Sequence, residues 1–204
     1  MAKSTRVDAI PSKAIGEIRT LLRDSPRDYA LFVIGLNTGL RESDLVRLRL
    51  GDFWDGSCYR EILEVRQKKT HDFVRPRINR AIAEALSRWR TANPAATLDS
   101  YLFYRTSKCY RRKSLYDQHI SENWVYQLIK SWCAAVGAQG NFGGHSLRRT
   151  RITSVFVEAS KTMPLGQALL TAKKTAGHKK VSTTSDYLQL EEGLAQDVQM
   201  AVNL

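Results

Sequence analysis

The sequence predicts a mostly α-helical domain with a small antiparallel β-sheet, an α+β arrangement. Three observations lead there. Apolar residues recur at helical spacing through most of the chain, and one stretch, 59–78, switches to alternation. No internal repeat or low-complexity linker breaks the pattern. A chain of 204 residues, 43% hydrophobic and 25% charged, is long enough for one sizeable core.

The elements follow in order. "PSKAIGEIRTLLRDS" places Ile15, Ile18, Leu21 and Leu22 on one helical face, with Ser12 positioned to cap it. "PRDYALFVIGLNTG" opens on a proline, is apolar nearly all round and stops at Gly39, the pattern of a buried helix with a glycine C-cap. "SDLVRLRLGDF" reads as a short amphipathic helix carrying Leu45 and Leu48. "YREILEVRQKKTHDFVRPRI" then alternates, turns at His71-Asp72 and resumes at Phe73, which predicts a hairpin with Pro76 at an edge. Helical spacing returns in "NRAIAEALSRWRTAN", which Pro94 stops. Residues 97–120 read as an irregular basic stretch. "SENWVYQLIKSWCAAVG" is a helix capped by Ser121 and ended at Gly137. Two more helices are expected at 146–159 and 164–175, and Leu194, Val198 and Val202 form a last apolar stripe.

Charge bears on partners. Lys and Arg number 32 against 20 Asp and Glu, a net +12, and such an excess favours a polyanion, of which nucleic acid is the usual one. A ribosomal or simply basic soluble protein is the alternative on charge alone. The basic residues are spread along the chain instead of forming one amphipathic helix, which speaks against a membrane surface. No stretch approaches the roughly 20 apolar residues of a membrane span. The opening "MAKSTRVDAIPSKA" lacks the apolar core of a secretory signal, so a cytoplasmic, nucleoid-associated protein is expected. Cys58, Cys109 and Cys133 form no CxxC pair and read as reduced thiols.

Four places carry groups that chemistry uses. In "NTGLRESDLVRL", Arg41 emerges at the end of the buried helix, and Asp44 is placed to hold its guanidinium; a weak surface pair is the plainer reading. In "QKKTHD", Lys68 and Lys69 flank a turn, where lysines are commonly just solvated. In "GGHSLRRTRIT", His145 and Arg148 stand at a helix start, a favourable place for an anion, and Gly143-Gly144 allow a sharp turn before it. In "GHKKVSTTSDY", His178 follows a helix-ending Gly177, and Ser182, Thr183 and Thr184 offer a cap for a short helix bearing Tyr187. If these groups converge, the chemistry is constrained. A tyrosine hydroxyl attacking a phosphodiester needs arginines on the non-bridging oxygens, a proton for the leaving oxygen and histidines to bond and shuttle protons. No cofactor or metal is required, and the sequence offers no acidic metal cluster.

The order Arg, Lys, His-x-x-Arg, His, Tyr resembles the tyrosine recombinases, or phage integrases. "TGLRESDLVRL" is similar to the family's TGLR-x-[ST]-[DE]-L, "HSLRRT" to its H-x-L-R-[HR]-[ST], and "GHKKVSTTSDY" to its G-H-x-x-x-x-T-T-x-x-Y. The resemblance implies the integrase catalytic-domain fold, with Arg41 and Arg148 binding the phosphate and Asp44 in an acidic supporting position. It implies His145 and His178 as activating histidines and Tyr187 as the nucleophile that forms a 3′-phosphotyrosyl link. The "KT" register favours Lys69 as the catalytic lysine, and spacing to Pro76 favours Lys68. Departures are Ala176, where a leucine usually precedes Gly-His, and a long interval before His178, which points to an insertion in "VEASKTMPLGQ".

The domains expected are a flexible segment at 1–10, a catalytic domain at 11–190 and a helical tail at 191–204, docking on its own domain or on a neighbouring subunit. Without room before residue 11 for the family's core-binding domain, the chain reads as an isolated catalytic domain or a short recombinase of the fimbrial-switch type. The implied partner is double-stranded DNA with specific recombination sites, bound by a dimer to tetramer with accessory DNA-bending proteins, in integration, excision, inversion or resolution of a mobile genetic element. The basic run Arg105, Lys108, Arg111, Arg112 and Lys113 reads as a phosphate-tracking segment. A type IB topoisomerase-like enzyme and a catalytically silent DNA-binding regulator are the alternatives.

Overall fold

A computed structural model describes residues 7–106 and 114–177. It divides into two compact units, 1–150 and 151–204. The order in the first is α1 (Ser12–Leu21), α2 (Pro26–Thr38), α3 (Glu42–Leu45), a 3-10 turn (Leu50–Asp52), β1 (Val65–Arg66), β2 (Phe73–Val74), α4 (Arg80–Ala92) and α5 (Glu122–Ala135). α6 (Gly144–Ser160) begins in the first unit, and α7 (Leu165–Ala176) lies in the second.

α2 is the central rod of the first unit. Its residues from Tyr29 to Gly35 are all buried, as the all-round apolar pattern predicts. α4 packs along it through Ile82, Ala85, Leu86 and Trp89, and the Trp89 indole N–H donates to the Leu102 carbonyl at 2.8 Å. Asn79 caps α4 and Ser121 caps α5, each accepting a backbone N–H through its side-chain oxygen. Ser12 does not cap α1. It is the helix's first residue, Pro11 stands at the cap, and Ile18 and Leu22 carry the buried face while Leu21 is half exposed.

The hairpin is shorter than its alternating stretch. Two residue pairs form the antiparallel ladder, Val65 with Val74 and Arg66 with Phe73, and Ile62 bridges Arg77 outside it. Leu63 is fully buried and its N–H donates to the Pro76 carbonyl, so this proline takes part through its acceptor. The stretch expected to be irregular is partly anchored. Leu102 and Phe103 are fully buried, and the chain pairs at Arg49 with Tyr101 and at Tyr104 with His119. Residues 7–10, expected within a flexible segment, are also held: the Asp8 N–H donates to the Asn141 carbonyl and the Ile10 N–H to the Thr150 hydroxyl.

In the second unit, Ile152, Phe156 and Ala159 of α6 share a core with Ala168, Ala172 and Ala176 of α7. α6 continues to Ser160, a turn follows, and Pro164 restarts the chain as α7. Lys108, Arg111, Arg112, Lys113, His178, Tyr187 and the stripe at 194–202 lie outside the described residues.

Candidate active site

The site assembles where α2 ends and α6 begins. Gly39 closes α2 in the left-handed conformation, φ 62° and ψ 23°, which turns the chain sharply and leaves its carbonyl facing inward. Arg148, one turn into α6 and only 2% exposed, donates from Nη1 to that carbonyl at 2.8 Å. The chain leaves Gly39 extended, reaches Arg41 and enters α3. Arg41 is partly buried, and its Nη1 is a buried donor with no hydrogen-bond partner.

His145 sits beside this pair. Its Nδ1 lies 2.9 Å from Oε2 of Glu42, and the imidazole is half exposed while Glu42 is largely covered. The hydrogen bond to Glu42 raises the His145 pKa above its ordinary 6.5, against burial and the positive charges of Arg148 and Arg41. Both arginines act on His145 electrostatically, which places each of them within range of its ring. Arg41, His145 and Arg148 thus come together from segments about a hundred residues apart in the chain.

Gly143, just before α6, and Gly144, its first residue, serve close approach instead of a sharp turn, since neither has a positive φ. A Cβ on Gly144 falls 1.8 Å from Oε1 of Glu42, and one on Gly143 falls 2.6 Å from the Tyr126 ring. Glu42 and Tyr126 therefore occupy the space that side chains at these positions need.

Asp44 supports a different partner from the one expected. Its carboxylate is 1% exposed, and Oδ1 accepts the backbone N–H of Lys68 at 2.9 Å and Arg47 Nη2 at 3.0 Å; it makes no ion pair with Arg41. The expectation failed because α3 is a single turn, so Asp44 points to the hairpin while Arg41 caps the turn's start. Asp44 thereby fixes the base of the lysine turn. Gln67, also buried, accepts the Thr70 hydroxyl and the His71 N–H, which closes the turn over Lys68 and Lys69. Lys68 Nζ lies 3.9 Å from Glu122, and Lys69 makes no ion pair among the described residues. Arg105 lines a cavity of about 420 Å³ with Arg27, Thr106, Ile120, Ser121 and Trp124. Among the described residues no cluster of His, Cys, Asp or Glu has the makings of a metal site, and no helix is long and apolar enough to cross a membrane.

A family model for the phage integrases matches residues 13–193. The chain belongs to the phage integrase family. A curated relative, tyrosine recombinase XerC of Caldanaerobacter subterraneus subsp. tengcongensis, is 26% identical over 167 residues, 81% of the chain and 42% of the relative. The chain therefore spans less than half the length of that protein. Among solved structures it shares its fold with XerA recombinase (TM-score 0.71, 19% identity, all of this chain and 67% of that one). It also shares it with the Tn1549 transposon integrase in complex with transposon right end DNA (TM-score 0.68, 14% identity, 98% and 68%). A lambda integrase dimer bound to a core site is similar too (TM-score 0.63, 18% identity, 94% and 63%).

Glu42 is the site residue that sequence reasoning missed. It directly follows Arg41, yet nothing in the spacing says that it meets His145; only the pair of glycines before His145 hinted at a close neighbour.

Proposed function

We propose that this chain is the strand-cutting and strand-joining part of a site-specific DNA recombinase, working through a 3′-phosphotyrosyl intermediate in integration, excision, inversion or resolution. The observation that carries the reading is the convergence of Arg41, His145 and Arg148 at the end of α2. Three cationic or proton-bearing groups gathered where α2 ends and α6 begins suit a phosphodiester better than a solvated face.

In this reading Arg41 and Arg148 bond the non-bridging oxygens and stabilise the charge that builds on them in the transition state. His145 and His178 donate further hydrogen bonds. The Tyr187 hydroxyl gives its proton to a histidine of the site as its oxygen attacks phosphorus, a new P–O bond forms to the tyrosine, and the bond to the 5′ oxygen breaks. Lys69 delivers a proton to that oxygen, which leaves as a 5′-hydroxyl. Reversal of the same step, with a 5′-hydroxyl attacking the phosphotyrosine, rejoins DNA without an external energy source. The partner is double-stranded DNA bearing recombination sites, bound by a dimer to tetramer, with residues 11–190 as the catalytic domain and 191–204 as a docking tail.

A DNA substrate nicked beside the cleavage site tests this. The wild-type chain traps a covalent protein–DNA adduct and Tyr187→Phe traps none; an adduct in the phenylalanine variant overturns the role of Tyr187. Relaxation of supercoiled DNA without any specific site points to a topoisomerase-like enzyme. Site-specific binding without an adduct on any nicked substrate points to a silent regulator.

A further inference from the structure

Glu42 lies against the site without a part in the reaction just described. Its carboxylate is largely covered, it rests on the Cα of Gly144, and its Oε2 faces His145 Nδ1 at 2.9 Å. A carboxylate accepts only, so the Nδ1 opposite it carries the proton. The other ring nitrogen, Nε2, is left for whatever enters the site.

We infer that Glu42 is a positioning residue that fixes both the orientation and the tautomer of His145, so that Nε2 alone meets the scissile phosphate or the attacking tyrosine. With the ring protonated, Nε2–H donates to a phosphate oxygen. With the ring neutral, the proton stays on Nδ1 against Glu42, and Nε2 becomes an acceptor able to take the tyrosine proton. Without Glu42, the neutral ring is free to hold its proton on either nitrogen and to rotate. The role of His145 in this scheme rests on the recombinase reading; its coupling to Glu42 does not.

The charged groups facing His145 are Glu42 and Arg41 around α3, and Arg148 on its own helix. The arginines disfavour the imidazolium, and Glu42 outweighs them, so His145 stays protonated to higher pH than a free histidine. The sign follows. Removing the Glu42 charge lowers the His145 pKa, and the imidazolium is lost at a lower pH. The two proteins then differ most in a window that opens below 6.5, where the variant loses its imidazolium under the influence of burial and the two arginines, and extends above it; they converge under more acid conditions where both rings are protonated.

Two measurements test this on the full chain. In 15N NMR of the histidine rings, wild type shows a neutral His145 protonated at Nδ1 and titrating above the ordinary range. Glu42→Leu shifts the neutral ring toward Nε2 protonation, and Glu42→Gln, whose amide oxygen still accepts, keeps the tautomer but titrates lower. In adduct formation on nicked DNA, Glu42→Gln is within about twofold of wild type at pH 5 and about tenfold slower at pH 7.5. Unchanged titration and tautomer in both variants overturn the inference, as does an equal loss in Glu42→Gln at every pH. If wild type forms no adduct, the recombinase reading fails, and the NMR titration still decides the coupling.

Discussion

At the scale of single residues, the site separates two neighbouring lysines. Lys68 has its backbone N–H held by buried Asp44 and its ammonium near Glu122, whereas Lys69 stands next along the turn with its side chain exposed. A proton donor to a leaving oxygen has to be able to reach it, and Lys69, with no ion pair among the described residues, is the lysine the proposed reaction uses. Lys69→Ala is expected to slow adduct formation by about 100-fold or more, and Lys68→Ala by less than about tenfold. A substrate whose bridging 5′ oxygen is replaced by sulfur needs no proton on its leaving group, because a thiolate is a far weaker base than an alkoxide. It should restore Lys69→Ala to near wild-type rate. Equal defects in the two variants, or failure of the sulfur substrate to rescue, count against Lys69.

At the scale of elements, the close approach between the start of α6 and its neighbours is the feature most sensitive to substitution. Gly143→Ala brings a methyl group to 2.6 Å from the Tyr126 ring on α5, so the ring or the backbone has to shift. Destabilisation of about 1–3 kcal/mol is expected from urea unfolding; a neutral result means that Tyr126 swings away freely. The elements themselves were largely legible. The all-round apolar run 26–39, its glycine stop and the caps at Ser121 and Pro164 each have a local cause, so local sequence suffices to read them. Arg41, His145 and Arg148 were legible as candidates by type and position. Their convergence was not, because it depends on how α2 and α6 pack and not on spacing. The same reason hid Glu42, and it explains why Asp44 was assigned to Arg41 when its partner is a backbone N–H in a hairpin two dozen residues on. Alternation overstates the hairpin's length, because it continues where the chain makes only isolated bridges.

At the scale of the whole molecule, a net +12 sets the expected response to salt. If Arg105, Lys108, Arg111, Arg112 and Lys113 each neutralise a phosphate, replacing all five with glutamine flattens the slope of log K against log salt by about 4 to 5. Binding should weaken on every DNA sequence alike; weakening on one sequence only means that the run reads bases. The Gly39 carbonyl has a different kind of consequence. A surface arginine gives up roughly 2 kcal/mol of rotamer freedom when it clamps a ligand. Arg148, buried and tied to the end of α2, has already given it up when the domain folds. The ordering entropy falls on folding, so in the proposed reaction a phosphate meets a donor that no longer has to be brought to rest.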